Sequence, residues 1–142
     1  MLNQFFLCSK YDAAEQDDLW HYLTIQAHLD GSIPKDLTVK TIMDTWTLQM
    51  GFPVVTVERK YDNSGKAKLK QERFLISKSA DNPDKHDYMW WIPITFVVPG
   101  DDFSKTKNDI WMSDVEKTKE ISGMPMDDQA VIFNVKETGY YR

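Results

Sequence analysis

Between Met43 and Arg59, in "MDTWTLQMGFPVVTVER", the apolar residues change their spacing. Upstream, Val39, Ile42, Met43, Trp46 and Met50 recur three, four and seven apart, which lays them along one face of a helix. Downstream, "FPVVTVER" has the texture of a strand. Gly51 fits the C-terminal cap of a helix running from Val39 to Met50, with Thr38 as its N-cap, and Pro53 forbids continuation. A chain that switches period across one residue is neither all-helical nor all-sheet. The expected fold class is α+β, with helices over residues 1–50 and a β domain over 51–142. The stretch reads as a domain junction with no flexible linker.

The upstream part carries a second helical pattern in "YDAAEQDDLWHYLTIQAHLDG". Asp12 can cap it, Glu15 three residues on completes a capping box, and Asp17 and Asp18 suit the positive end of the macrodipole. Leu19, Trp20, Leu23 and Ala27 form its apolar stripe, and Gly31 is a natural stop. Residues Met1 to Leu7 read as the tail of a further helix.

Downstream, "YDNSGK" is a turn by composition and "KLKQERFLI" the returning strand. In "DYMWWIPITFVV", Tyr88, Trp90, Ile92, Ile94, Phe96 and Val98 fill every even position, which predicts one strand with a single core face. Pro93, on the opposite parity, points to an edge strand or a bulge. "DIWMSDV" and "AVIFNV" add two short strands. Short strands separated by polar turns predict a small antiparallel β-sandwich.

Charge and composition narrow the function. The net charge is -5, and the one basic cluster, Lys66, Lys68, Lys70 and Arg73, lies along a hairpin strand. It reads as a solvated face, so nucleic acid is not an expected partner. No run approaches the ~20 apolar residues of a membrane-spanning helix. Cys8 is the single cysteine and reads as a small buried hydrophobe without a base to activate it.

Candidate chemistry is sparse. His21 and His28, seven residues apart, share a helix face but stand about 10 Å apart along the axis, too far to ligate one ion. His86 sits in a polar turn. The neighbouring carboxylates Asp17/Asp18, Asp101/Asp102 and Asp127/Asp128 read as caps and turns, because general acid–base pairs face each other across a cleft. No phosphate loop, G-x-S-x-G elbow or C-x-x-C is present. No catalytic, cofactor-binding or metal-binding residue is assigned. Trp91 and Met89 place apolar surface opposite the core residue Trp90, so either a second layer covers them or they form an interaction surface. The latter would suit a free-standing sandwich binding module with a helical adaptor and no enzymatic activity.

Several motifs in order resemble aminopeptidase N-type zinc metallopeptidases, the gluzincins with a HExxH helix. "TVKTIMDTWTLQMGFPVVTVER" is similar to that family's "IM-x-x-WT-x-QMG-[FY]-PV" junction through Ile42, Met43, Trp46, Thr47, Gln49, Met50, Gly51, Phe52, Pro53 and Val54. "AEQDDLW", "QERFL", "YMWWIPIT" and "NVKETGYYR" resemble further family segments, the last being the start of "GYYRVNYD". The resemblance implies a fragment: residues 1–50 would be the C-terminal helices of a thermolysin-like catalytic domain. Residues 51–142 would be the β-sandwich, running into the start of the C-terminal helical domain. It also implies a parent enzyme that removes N-terminal residues from peptides with a zinc ion. The zinc ligands and the G-x-M-E-N loop would lie outside this chain, and the chain alone would be inactive. The expected partners are the rest of the parent chain and, for the parent, a peptide substrate; the expected location is the cell surface.

Overall fold

A computed structural model describes residues 15–76, 86–98, 100–104 and 110–142. Cys8, Asp12 and the segment Met1 to Leu7 lie outside the described residues. The architecture is α+β: two helices, then a small antiparallel sandwich. The chain divides into two compact units, Met1–Leu48 and Gln49–Arg142.

In the first unit, helix α1 spans Gln16–Leu29 and α2 spans Val39–Thr47. The N-cap of α1 is Glu15, not Asp12. The box shifts by one turn: the Asp18 carboxylate accepts from the Glu15 amide at 3.0 Å, so Glu15 is the capping member and Asp18 the reciprocal one. The stop at Gly31 is as expected. Gly31 (φ 61) donates to His28 O at 3.2 Å and Ser32 to Ala27 O at 2.8 Å, the paired bonds of a Schellman cap. Thr38 caps α2, its hydroxyl accepting from the Thr41 amide at 3.1 Å. The two helices are joined by the Thr24 hydroxyl, which accepts from the Val39 amide at 2.9 Å, and by Lys40 on Asp17 at 2.7 Å.

Helix α2 ends at Thr47 with Leu48 as its C-cap, three residues before the expected end at Met50. Gly51 therefore does not cap the helix. Its φ of +98° bends the chain into the first strand, and a Cβ there would stand 3.1 Å from Arg73 Nε. A left-handed turn pressed against a neighbouring side chain asks for glycine as firmly as a helix cap does.

The second unit opens with strands β1 (Pro53–Arg59) and β2 (Lys66–Arg73), an antiparallel hairpin in register from Pro53↔Arg73 to Arg59↔Ala67. Asp62, Asn63, Ser64 and Gly65 make the connecting turn, with the Asp62 carboxylate accepting from the Ser64 amide at 2.9 Å. Strands β3 (Ile92–Ile94), β4 (Phe96–Val97), β5 (Ile110–Met112), β6 (Thr118–Ser122) and β7 (Ile132–Phe133) follow. One sheet has the order β1-β2-β6; β3 pairs with β5, and β4 with β7, all antiparallel. Strand β6 is not legible in the sequence, since Ile121 is its one apolar residue. It is recruited by β2, where Ile121 lies opposite Ala67.

The core is formed by Ala67 and Leu69 of β2, Trp90, Ile92, Ile94 and Val97, with Met112 and Val135. Buried Gln71 ties the layers together. Its Nε2 donates to Ser113 O (2.9 Å) and Glu116 O (3.0 Å), and its Oε1 accepts from the Trp90 amide (2.9 Å).

The long strand expected from Tyr88 to Val98 is broken at Thr95. Even positions face the core through Ile94; Thr95 is then also buried, and beyond it Val97 rather than Phe96 or Val98 is buried. The hydroxyl of Thr95 accepts from the Val135 amide at 3.0 Å and its carbonyl from the Asn134 amide at 2.9 Å. One buried polar residue with two backbone partners takes a place in the core and shifts the parity behind it. The same run thereby serves two strand pairs. Pro93 lies, as expected, on an edge: among the described residues, β3 has β5 alone beside it.

Candidate functional site

The candidates named from sequence are dispersed as structural groups. His21 is exposed, edge-on to Tyr22 at 5.7 Å. His28 is half-buried, its Nε2 2.8 Å from Leu37 O, so it fastens the end of α1 to the approach of α2. His86 is exposed and stacks on Tyr88 at 4.8 Å. Asp17 pairs with Lys40 and Asp18 caps α1. Asp101 accepts from the Val98 amide at 3.3 Å, Asp102 from the Ser104 amide at 2.8 Å and Asp127 from the Asn63 amide at 3.0 Å. These are turn and cap geometries. Among the described residues, no three His, Cys, Asp or Glu side chains stand together so as to hold a metal ion.

Electrostatics agree with that geometry. Ser64 holds the Asp62 carboxyl below its ordinary range, Ser104 does the same for Asp102, Lys119 for Glu116 and Lys60 for Glu120. A general acid at neutral pH needs the opposite, a carboxyl raised by burial or by a like charge. Burial does raise the Tyr141 phenol, against the pull of Thr95.

Two readings of surface change. Arg73 does not share the face of Lys66 and Lys68: those lysines are exposed, while Arg73 is half-buried with its guanidinium 5.1 Å from the Tyr88 ring centre. Trp91 and Met89 are not exposed. Both are half-buried, Trp91 lies edge-on to Trp111 at 6.4 Å, and Met89 O accepts from Gln49 Nε2 at 2.8 Å. The main argument for a docking surface on that strand is thereby removed.

Some of the residues that carried the family resemblance, Phe52, Phe74 and the Asn134–Arg142 stretch, meet in one corner of the second unit. Phe52 stacks on Phe74 at 4.9 Å and meets Tyr140 edge-on at 5.5 Å. Asn134, at φ 53°, donates from Nδ2 to the carbonyls of Gly139 (2.9 Å) and Tyr141 (3.1 Å) and accepts from the Gly139 amide at 2.9 Å. A Cβ on Gly139 would run into the Tyr141 ring. A cavity of about 710 Å³ lies here, walled by Val55, Val57, Ile94, Phe133 and Tyr141 among others. A smaller one, about 310 Å³, lies by Gln71, Arg73, His86 and Lys117. The larger cavity has a mixed lining, with Asn134, Glu137, Thr138 and Arg142 beside those apolar residues. Sequence reasoning met Asn134, Gln71 and Arg59 only inside quoted motifs and gave them no structural role; the Arg59 guanidinium reaches the carbonyls of Gln129 and Pro125, each at 2.6 Å. Single polar residues give no periodic signal, and only the fold shows what each one bridges.

No profile of a known protein family matches the chain. Individual relatives do. The chain is 30% identical to aminopeptidase N of Mus musculus over 142 residues, covering 99% of this chain and 14% of that protein. It is 35% identical to aminopeptidase N of Homo sapiens over 127 residues, covering 88% of this chain and 12% of that protein. The thyrotropin-releasing hormone-degrading ectoenzyme of Homo sapiens is 28% identical over 145 residues. The chain thus spans 12–14% of the length of these curated relatives. The match runs through both units, from the helices to the strands of the sandwich, and the chain belongs to the aminopeptidase N family.

Proposed function

We propose that this chain is a non-catalytic segment of a zinc-dependent aminopeptidase that removes N-terminal residues from peptides. Residues 1–50 would be the closing helices of its catalytic domain. Residues 51–142 would be the β-sandwich that links that domain to a C-terminal helical one. The observation that carries the reading is the coverage: nearly all of this chain aligns with aminopeptidase N, and most of aminopeptidase N has no counterpart here. The zinc site would be formed elsewhere in the parent, and no step of hydrolysis is assigned to this chain. The name of the ectoenzyme relative supports a parent displayed at the cell surface.

The test is to read the transcript upstream of Met1 and to assay the 142-residue chain with added zinc on an aminoacyl 4-nitroanilide. The expected result is an in-frame HExxH helix and G-x-M-E-N loop upstream, and no hydrolysis by the chain alone. Stop codons directly above a genuine start at Met1, or turnover by the chain itself, would overturn the reading.

A further inference from the structure

The C-terminal cap of α1 contains the one Asp-Gly step of the chain, Asp30–Gly31. Glycine makes this step reactive. With no Cβ on the second residue, its main-chain nitrogen can approach the aspartate side-chain carbon and close a five-membered ring. Both residues are exposed, and a Cβ built on Gly31 would meet nothing within 4 Å, so water and the closing ring have room. The cap itself opposes closure. The Asp30 carboxylate accepts from Gln26 Nε2 at 2.6 Å, the Gly31 amide donates to His28 O at 3.2 Å, and the Ser32 amide donates to Ala27 O at 2.8 Å. Asp30 has ψ -8, which turns the Gly31 nitrogen toward the helix; ring closure needs that torsion to rotate and these bonds to part. Each bond is worth about 0.5–1.5 kcal/mol, and helix ends open readily, so the reactive geometry is visited from the folded chain.

We propose that Asp30–Gly31 is a site of spontaneous isoaspartate formation and that the α1 cap sets its rate. The Gly31 nitrogen attacks Asp30 Cγ. The N–Cγ bond forms, the amide proton is lost, and one carboxyl oxygen leaves as water. The resulting succinimide takes up water at either ring carbonyl. Opening at Cγ breaks the new bond and restores aspartate. Opening at the former main-chain carbonyl breaks the original peptide bond, so the chain then runs through Cγ and an α-carboxylate is set free. Water is lost and regained, and no other reactant is needed. The product lengthens the main chain by one methylene inside the cap, so the Schellman bonds lose their register. The segment just beyond carries Leu37 and Val39, through which His28 and Thr24 tie α1 to α2. Isomerisation therefore loosens the link between the helices as the protein ages.

The test keeps the 142-residue chain at neutral pH for weeks, with and without concentrated urea. Isoaspartate is read by labelling with an isoaspartyl carboxyl methyltransferase and placed by electron-transfer fragmentation of the tryptic peptide from Tyr11 to Lys35. The expected result is accumulation at residue 30 in buffer and a faster rise in urea. Gln26→Ala removes the bond to the carboxylate while favouring the helix, and should speed the reaction in buffer about two- to tenfold. Asp30→Glu, whose side chain would have to close a larger ring, should abolish the signal at this position. No isoaspartate at residue 30 in buffer while it builds up in urea overturns the site. Rates equal with and without urea, or unmoved by Gln26→Ala, overturn control by the cap. None of these readouts involves peptidase activity, so failure here is separate from failure of the aminopeptidase reading.

Discussion

The two units differ in what they bury. In the β unit, Trp90, Leu69, Ile92, Met112 and Ala67 are sealed from solvent, with Gln71 bonded among them. In the helical unit, α1 has no buried residue over its fourteen positions, and Leu37 and Ile42 are the buried apolar side chains among the described residues. Among its described residues, the ties of the first unit are mainly local devices: a capping box, a Schellman stop, a threonine cap and the bond from His28 to Leu37. The second is held by a core and by polar ties between distant strands. Local devices are each worth a fraction to about two kcal/mol, while a well-packed core side chain is worth several. The difference teaches where a single substitution should matter.

The strongest test is Trp90→Ala, which should cost about 3–5 kcal/mol and release the slow exchange of the Leu69 amide. Exchange at Thr45 in α2 should change far less. If both rise together, the units form one cooperative system and the contrast fails. Next comes Gln71→Met, which keeps the volume but leaves the Trp90 amide and the carbonyls of Ser113 and Glu116 without their partner. A loss of about 1–3 kcal/mol in urea unfolding is expected, and a neutral result would show that water replaces the amide. Thr38→Ala should cost about 1 kcal/mol, seen as reduced helical circular dichroism with Leu69 exchange unchanged.

The smallest effect is at Glu116. Its carboxyl is held below the ordinary range chiefly by Lys119, with Nζ 2.9 Å from Oε2. A depressed carboxyl contributes stability above its unfolded value and loses it as the pH falls through the folded value. Glu116→Gln should therefore flatten the acid side of the stability profile. The pair is substantially exposed, so the change should stay below about 0.5 kcal/mol and shrink in salt. A larger change would mean that the loop tied to Gln71 depends on the charge itself.

Much of this architecture was legible beforehand, for reasons that differ by element. Periodicity exposes any helix or strand with one buried face, so both helices, the hairpin and the core placement of Trp90, Ile92 and Ile94 could be read directly. Caps were legible as types and less so as positions: Thr38 and Gly31 hold the expected places, whereas Glu15 replaces Asp12 and Leu48 ends α2 ahead of Gly51. Several adjacent residues can serve as a cap, and packing selects among them. The exposed positions of His21 and His86 were also legible, because their surroundings suit a helix surface and a polar turn.

What sequence alone determined, then, is the α+β order, the change of period at the junction and the membership of a family whose motifs follow one another along the chain. Tertiary structure alone decided the rest. Thr95 turns one apolar run into two strands because two backbone amide–carbonyl needs from the Asn134–Val135 turn converge on it. Strand β6, nearly all polar, is a strand because β2 offers it a ladder. Trp91 is half-buried beside Trp111, a residue twenty positions away in sequence. The Gly139–Arg142 corner lies on the edge of β1, which no local pattern could reveal. Each of these depends on groups far apart in the chain meeting in space, and a periodic reading of neighbours carries no information about such meetings.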